Sequence, residues 1–164
     1  MDRFYEQLVT TYKTGFYKMV NVATYVFVFI GIASLSINPI FAIILVCLAA
    51  GCFFYKQNLF VEYEYQFTNG EIDVEKIVEM KKRKKVVSFN IKELQLLAPE
   101  DSAAVKDFYN KPKDILRCYP NTSKARVYIA MVTEGNNKMQ LMFVPDEKFL
   151  DHCYKCNPKA VKKQ

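Results

Sequence analysis

The stretch MVNVATYVFVFIGIASLSINPIFAIILVCLAAGCFFY, Met19 to Tyr55, runs 37 residues without one Asp, Glu, Lys, Arg or His, and Lys18 and Lys56 bracket it. So long an uncharged apolar run belongs in a bilayer. As one helix it would be about 55 Å long at roughly 1.5 Å per residue, against a hydrocarbon core of about 30 Å. The run also interrupts itself. Ser36-Ile37-Asn38-Pro39 places a capping Asn before a proline at the first helical position, which ends one helix and starts another. The pattern predicts two antiparallel spans, residues 20–37 and 39–55, each about 24–27 Å long and flanked by lysines that can snorkel.

Gly31 and Ser34 on the first span, and Ala42, Ala49, Ala50 and Gly51 on the second, permit close helix approach; they also fit ordinary transmembrane composition. A secretory leader is the rival reading of the first span, with Ser34-Leu35-Ser36 as a small-residue cleavage site. An 18-residue leading segment and a second apolar segment directly after the turn argue against it. Arg3, Lys13 and Lys18 precede the first span, Lys56 follows the second, and the turn between them is uncharged. The positive-inside rule then places both termini in the cytoplasm of a multi-pass protein of the cell (inner or plasma) membrane. Phe16, Tyr17, Phe53, Phe54 and Tyr55 cluster at the same interface. Ahead of the first span, Phe4, Leu8, Tyr12 and Phe16 recur every four residues, with Asp2, Glu6 and Lys13 elsewhere. This spacing predicts an amphipathic helix over residues 1–18, lying on the membrane surface or extending the first span.

Residues 58–164 carry 19 Lys+Arg and 15 Asp+Glu, enough chain for one compact core and too little for two. Val61, Tyr63, Tyr65 and Phe67 alternate with Glu62, Glu64 and Gln66, which predicts a strand with the glutamates facing solvent. Asn69-Gly70 is a strong hairpin signal. A second strand follows from Glu71 with a bulge at Ile77-Val78, then a turn at Lys81–Lys85 and a strand through Val87, Phe89 and Ile91. Beyond Leu94–Leu97 the pattern lapses into a long loop, Pro99–Asp114. Strands return at Ile115–Tyr119, Ala125–Thr133 and, after Gly135-Asn136-Asn137, Met139–Val144. Pro145-Asp146-Glu147 opens a helix with Phe149, Leu150 and Cys153 on its apolar stripe, Asn157-Pro158 ends it, and Lys159–Gln164 is a basic tail.

The fold class expected is a membrane-anchored α+β protein: a two-helix transmembrane hairpin, then an antiparallel β-barrel or sandwich over residues 58–164 capped by a C-terminal α-helix. A two-span hairpin feeding into Val61-Glu-Tyr-Glu-Tyr-Gln-Phe-Thr-Asn-Gly-Glu-Ile-Asp, then a Lys/Arg cluster, then Val144-Pro-Asp-Glu-Lys-Phe-Leu resembles a family of small bacterial membrane proteins of unknown function with a pleckstrin-homology-like (PH-like) cytoplasmic domain. The resemblance covers nearly the whole chain. It implies a fold and a location, and it carries over no activity and no catalytic residue.

Lys81, Lys82, Arg83, Lys84 and Lys85 form the sharpest charge feature. In a turn on an anchored domain they suit anionic headgroups, at about 1 kcal/mol per cation near the surface, or a protein partner. A solvated hairpin tip that blocks edge pairing has the same composition. Basic residues here are not interleaved with aromatics, which argues against nucleic acid. Cys153-Tyr154-Lys155-Cys156 is a C-x-x-C at the C-terminal end of a helix, where the dipole disfavours thiolate and a redox role. Zinc would need Cys118, His152, Cys153 and Cys156 together, and adjacent helical positions 152 and 153 diverge by about 100°; packed free thiols are the expected state, with no metal and no cofactor. His152 is the only histidine, and no nucleophile elbow or glycine-rich phosphate loop occurs. The expectation is a non-enzymatic integral membrane protein whose PH-like domain binds a protein partner or the anionic membrane surface. The alternative is a subunit or regulator of a larger membrane complex assembled through the hairpin.

Overall fold

A computed structural model describes residues 3–109, 111–135 and 137–163. The chain divides into a helical unit, Thr11–Val61, and a sheet unit made of Met1–Thr10 and Glu62–Gln164. The N-terminal segment and the C-terminal two-thirds thus fold together, and the helices are inserted between them.

In the helical unit, α1 spans Gly15–Ser34 and α2 spans Pro39–Gln57. Asn38 caps α2 as its position before Pro39 predicts: its Oδ1 accepts from the backbone N–H groups of Ile40 at 3.1 Å and Phe41 at 3.2 Å. Thr14 caps α1 by accepting from Tyr17 N–H, so this helix begins five residues before the predicted span. Gly31 faces α2, where a Cβ would make ordinary contacts at 3.5 Å with Leu45 Cβ and Val46 Cγ2, so the packing needs a small residue there but not glycine itself. Ala42 and Ala49 are buried between the helices, whereas Ala50 and Gly51 are exposed. Lys56 is buried, and its Nζ donates to Asn21 Oδ1 at 2.9 Å. Both helices are long and apolar enough to cross a membrane.

In the sheet unit, β1 (Phe4–Val9), β2 (Val61–Thr68), β3 (Glu71–Val78) and β4 (Lys82–Asn90) form one sheet in that order. The second sheet runs β5-β7-β8-β6, with β5 Leu94–Pro99, β6 Asp114–Arg117, β7 Tyr128–Glu134 and β8 Asn137–Phe143. Helix α3 is a single turn, Ala103–Lys106, and α4 spans Glu147–Cys156 with Asp146 as its cap. Tyr65, Phe67, Ile72, Val74 and Phe89 from the first sheet meet Ala130, Val132, Leu141 and Phe143 from the second. Phe149 of α4 plugs this core, its ring 6.0–6.2 Å from those of Tyr65, Phe67 and Phe143. A smaller cluster of Leu96, Ala98, Val105, Ile129, Met131 and Met142 joins α3 to the second sheet.

Several expectations are corrected. Residues 4–9 are a strand and not part of an amphipathic helix. Their apolar spacing fits period four, but Tyr5, Gln7 and Val9 also alternate with Phe4, Glu6 and Leu8, and pairing with β2 in the register Phe4↔Thr68 to Val9↔Tyr63 selects the period of two. The two sheets share a core without closing into a barrel, and the second is mixed: β6 runs parallel to β8. Strands β5 and β6 therefore point the same way, and residues 100–113 make the crossover this demands. Leu94–Pro99, directly ahead of the expected loop and ending on its first residue, is a strand without alternation, because both its faces are covered. The register shift lies at Val74/Glu75 and not at Ile77-Val78. The basic tail docks: Leu97 N–H donates to Ala160 O at 2.8 Å, Lys162 N–H donates to Leu97 O at 2.7 Å, and Ala160 and Val161 are buried. Met1, Asp2, Asn110, Asn136 and Gln164, which fall within the expected N-terminal helix, loop, turn and tail, lie outside the described residues.

Candidate functional site

The basic run is not a turn. The turn is Glu79-Met80-Lys81, closed by Lys81 N–H donating to Val78 O at 3.1 Å, and β4 begins at Lys82. Its two central residues sit in the left-handed region, Glu79 at φ 50° and Met80 at φ 57°. A left-handed central pair ordinarily uses Asn-Gly or Asp-Gly, so the sequence carries no sign of this turn.

Strand alternation sorts the five cations. Arg83 and Lys85 are consumed internally: Arg83 Nη1 lies 2.8 Å from Glu64 Oε2, and Lys85 Nζ lies 2.8 Å from Asp73 Oδ1. Burial alone would raise the Asp73 carboxyl, but hydrogen bonds from Lys85 and Ser88 together with the Lys85 charge outweigh it and hold the group below its usual value. Glu64 is only 1% exposed and also accepts from Gln66 Nε2 at 2.6 Å, and Glu62 is buried as well. The solvent-facing role expected for these glutamates is therefore wrong, because the outer face of β2 is covered. Lys81, Lys82 and Lys84 are exposed and make no ion pair among the described residues. Lys84 is directly opposite Lys76 in the β3–β4 register, an arrangement of like charges that costs stability. The free cationic set is thus Lys76, Lys81, Lys82 and Lys84. Lys76 was missed by reading the sequence as a local run, although hairpin pairing of the same residues would have found it.

The strand directions give this set an address. β1 ends at Val9 and β2 starts at Val61, so both connections to the helical unit leave one end of the first sheet. β3 runs back to that end, and the Glu79–Lys81 turn is there. Only residues 10–14 and 58–60 separate the strands from the helices.

The thiols and His152 form no comparable site. Cys118 and Cys153 are buried in the main core, and burial pushes each thiol up to about 12. His152 stacks on Tyr5 at 5.5 Å and 18° and lies 5.5 Å from Phe67, while Cys156 Sγ accepts from Arg3 Nη1 at 3.4 Å. Among the described residues no group of three or more His, Cys, Asp or Glu side chains is placed to hold a metal ion. All five cysteines are free.

An antiparallel meander and a mixed sheet around one core, plugged by a C-terminal helix, are the architecture of a PH-like domain, here with a helical hairpin inserted between its first two strands. The sequence model of the bacterial PH-like domain family (DUF6106) matches residues 1–163, and the chain belongs to that family. A search of curated proteins finds no match, and neither does a search of solved structures. PH-like domains are in general non-catalytic, and the family is one of unknown function.

Proposed function

We propose that the chain is a non-enzymatic, membrane-anchored binding module whose PH-like unit holds the anionic inner leaflet through Lys76, Lys81, Lys82 and Lys84. One observation carries this reading: the four free lysines gather at the end of the sheet from which both connections to the apolar helices leave. Two are set opposite each other at a cost that a bound anion offsets. The short connections raise the effective concentration of that end at the surface, and four cations at about 1 kcal/mol each give a useful but salt-sensitive attraction.

Anchoring is supported by the apolar helices themselves. Only 17% and 22% of their most apolar windows are buried, whereas a core helix of a soluble protein is mostly covered. Because β1 and β2 pair in one sheet, residues before α1 and after α2 share a side, so the helices cross twice or not at all. A cleavable leader at α1 would discard β1 with it. With the positive flanks, this favours a cytoplasmic sheet unit. Gly31 and Ala42 are used inside the hairpin, which weakens the reading of these positions as contacts within a larger complex.

The test uses the full chain in nanodiscs. Lys81–Lys85 are trypsin sites, and the proposal predicts slower cleavage there with phosphatidylglycerol present than with phosphatidylcholine alone. The difference in cleavage at Arg83 and Lys85, the trypsin sites that remain, should disappear in a quadruple Lys→Gln variant at 76, 81, 82 and 84. Equal cleavage in both lipids would refute surface contact.

A further inference from the structure

Both hairpins of the first sheet turn on two left-handed residues, and they solve the problem differently. At the far end the pair is Asn69-Gly70, with φ 52° and 97°, the residues for which that conformation is least costly. At the end from which the helix connections leave, it is Glu79-Met80, where neither residue relieves the strain. Met80 is 71% exposed, an unbranched apolar side chain at the apex of a turn flanked by Lys81, Lys82 and Lys84. A glycine would suit the backbone better, so the turn presents an apolar side chain at the cost of backbone strain.

Resting on the lipid-contact reading above, we infer that Met80 is a bilayer-inserting wedge: its thioether enters the acyl boundary of an anionic leaflet while Lys81, Lys82 and Lys84 engage phosphates. An apolar tip with cations following it along β4 matches an interface with phosphate above and hydrocarbon below. The occupant is the anionic bilayer and not an acidic protein, because the tip pairs its charge with an exposed apolar apex and lies at the tethered end of the sheet. Glu79 opposes the contact; its carboxylate is the one acidic group in the turn.

The chain contains no tryptophan, so Met80→Trp gives a sole reporter in the full-length protein. It is reconstituted in nanodiscs with phosphatidylglycerol or phosphatidylcholine alone, with acyl chains brominated near the headgroup. The expected result is blue-shifted emission quenched by bromine in phosphatidylglycerol, and a clear loss of quenching when Lys81, Lys82 and Lys84 are changed to Gln. Tyr109→Trp, at an 86% exposed position of the same unit, should stay solvent-like. Unquenched emission from Met80→Trp overturns the wedge; if trypsin protection persists, lipid contact by the lysines survives, and if protection is also absent both ideas fall. Equal quenching in phosphatidylcholine overturns the cationic role. Should the variant fold poorly, peroxide oxidation of native Met80 is the second readout, expected several-fold slower in phosphatidylglycerol; equal rates overturn the wedge.

Discussion

Gln7 offers the sharpest test of the fold. Its Nε2 donates to Val144 O at 2.9 Å and its Oε1 accepts from Asp146 N–H at 2.8 Å, so one amide clamps both ends of the connection between β8 and α4. Asp146 also accepts from Tyr5 Oη at 2.5 Å and caps α4 by accepting from Phe149 N–H at 2.8 Å. Gln7→Ala orphans one carbonyl and one N–H, both only partly buried, each costing about 1–2 kcal/mol at the low end of the range for such groups, for a loss of about 2–4 kcal/mol. With a urea dependence of about 1–1.5 kcal/mol per molar for a unit of this size, the midpoint should fall by about 2 M. Gln7→Glu keeps the acceptor but sets a carboxylate oxygen against the Val144 carbonyl beside Asp146, and should cost at least as much as Gln7→Ala. Buried Cys118 and Cys153 report opening: a maleimide reaches them only when the sheet unit unfolds, and mass spectrometry separates them from Cys47, Cys52 and Cys156. A Gln7→Ala midpoint unchanged within about 0.5 kcal/mol would refute the seating of β1 on this connection.

The same assay separates structural from free cations. Arg83→Met should destabilise the sheet unit by about 1–3 kcal/mol by leaving the buried Glu64 carboxylate unpaired, whereas Lys84→Gln should stay within about 0.5 kcal/mol. Because Cys118 and Cys153 are raised to about 12 in the folded state against 9.0 as the ordinary value, their contribution is intact below about pH 9 and is lost as pH rises toward 12. The slope should approach 1.4 kcal/mol per pH unit per thiol, and it should fall by one proton in Cys153→Ala when stability is followed by circular dichroism. Gly31→Ala should leave the helix pair intact, since its Cβ would make ordinary contacts at 3.5–3.6 Å. Gly31→Leu should overpack it by about 1–3 kcal/mol, seen as a lower melting temperature of the full chain.

The features legible in the sequence are those that local chemistry decides. Asn38-Pro39 and Asn69-Gly70 fix a helix start and a hairpin through their own side chains or φ preferences, and each is where the residues place it; Pro145-Asp146-Glu147 marks the start of α4, with Asp146 as its cap rather than within its first turn. What the sequence hides depends on partners far away in the chain. Phe4–Val9 fits two periods, and only β2, more than 50 residues later, decides between them. Glu62 and Glu64 look solvent-facing because alternation gives the face but not what covers it. Lys81–Lys85 reads as one cluster, yet Asp73 and Glu64 remove two of its charges while Lys76 adds one. A fragment beginning at residue 58, which the apolar run alone suggests as a domain, would lack β1 and expose the edge of β2.

The central claim is that the first strand and the PH-like remainder form one unit on the cytoplasmic side, with the apolar hairpin crossing the membrane twice between them. The direct measurement is thiol labelling of a Cys-free background carrying single cysteines at Glu6, Ile37 and Lys163, in intact cells and in inverted membrane vesicles, with a membrane-impermeant maleimide. The account predicts labelling of the Ile37 site only from outside and of the Glu6 and Lys163 sites only from the cytoplasmic face. Labelling of the Glu6 and Lys163 sites from opposite faces would contradict the β1–β2 pairing and with it the whole arrangement.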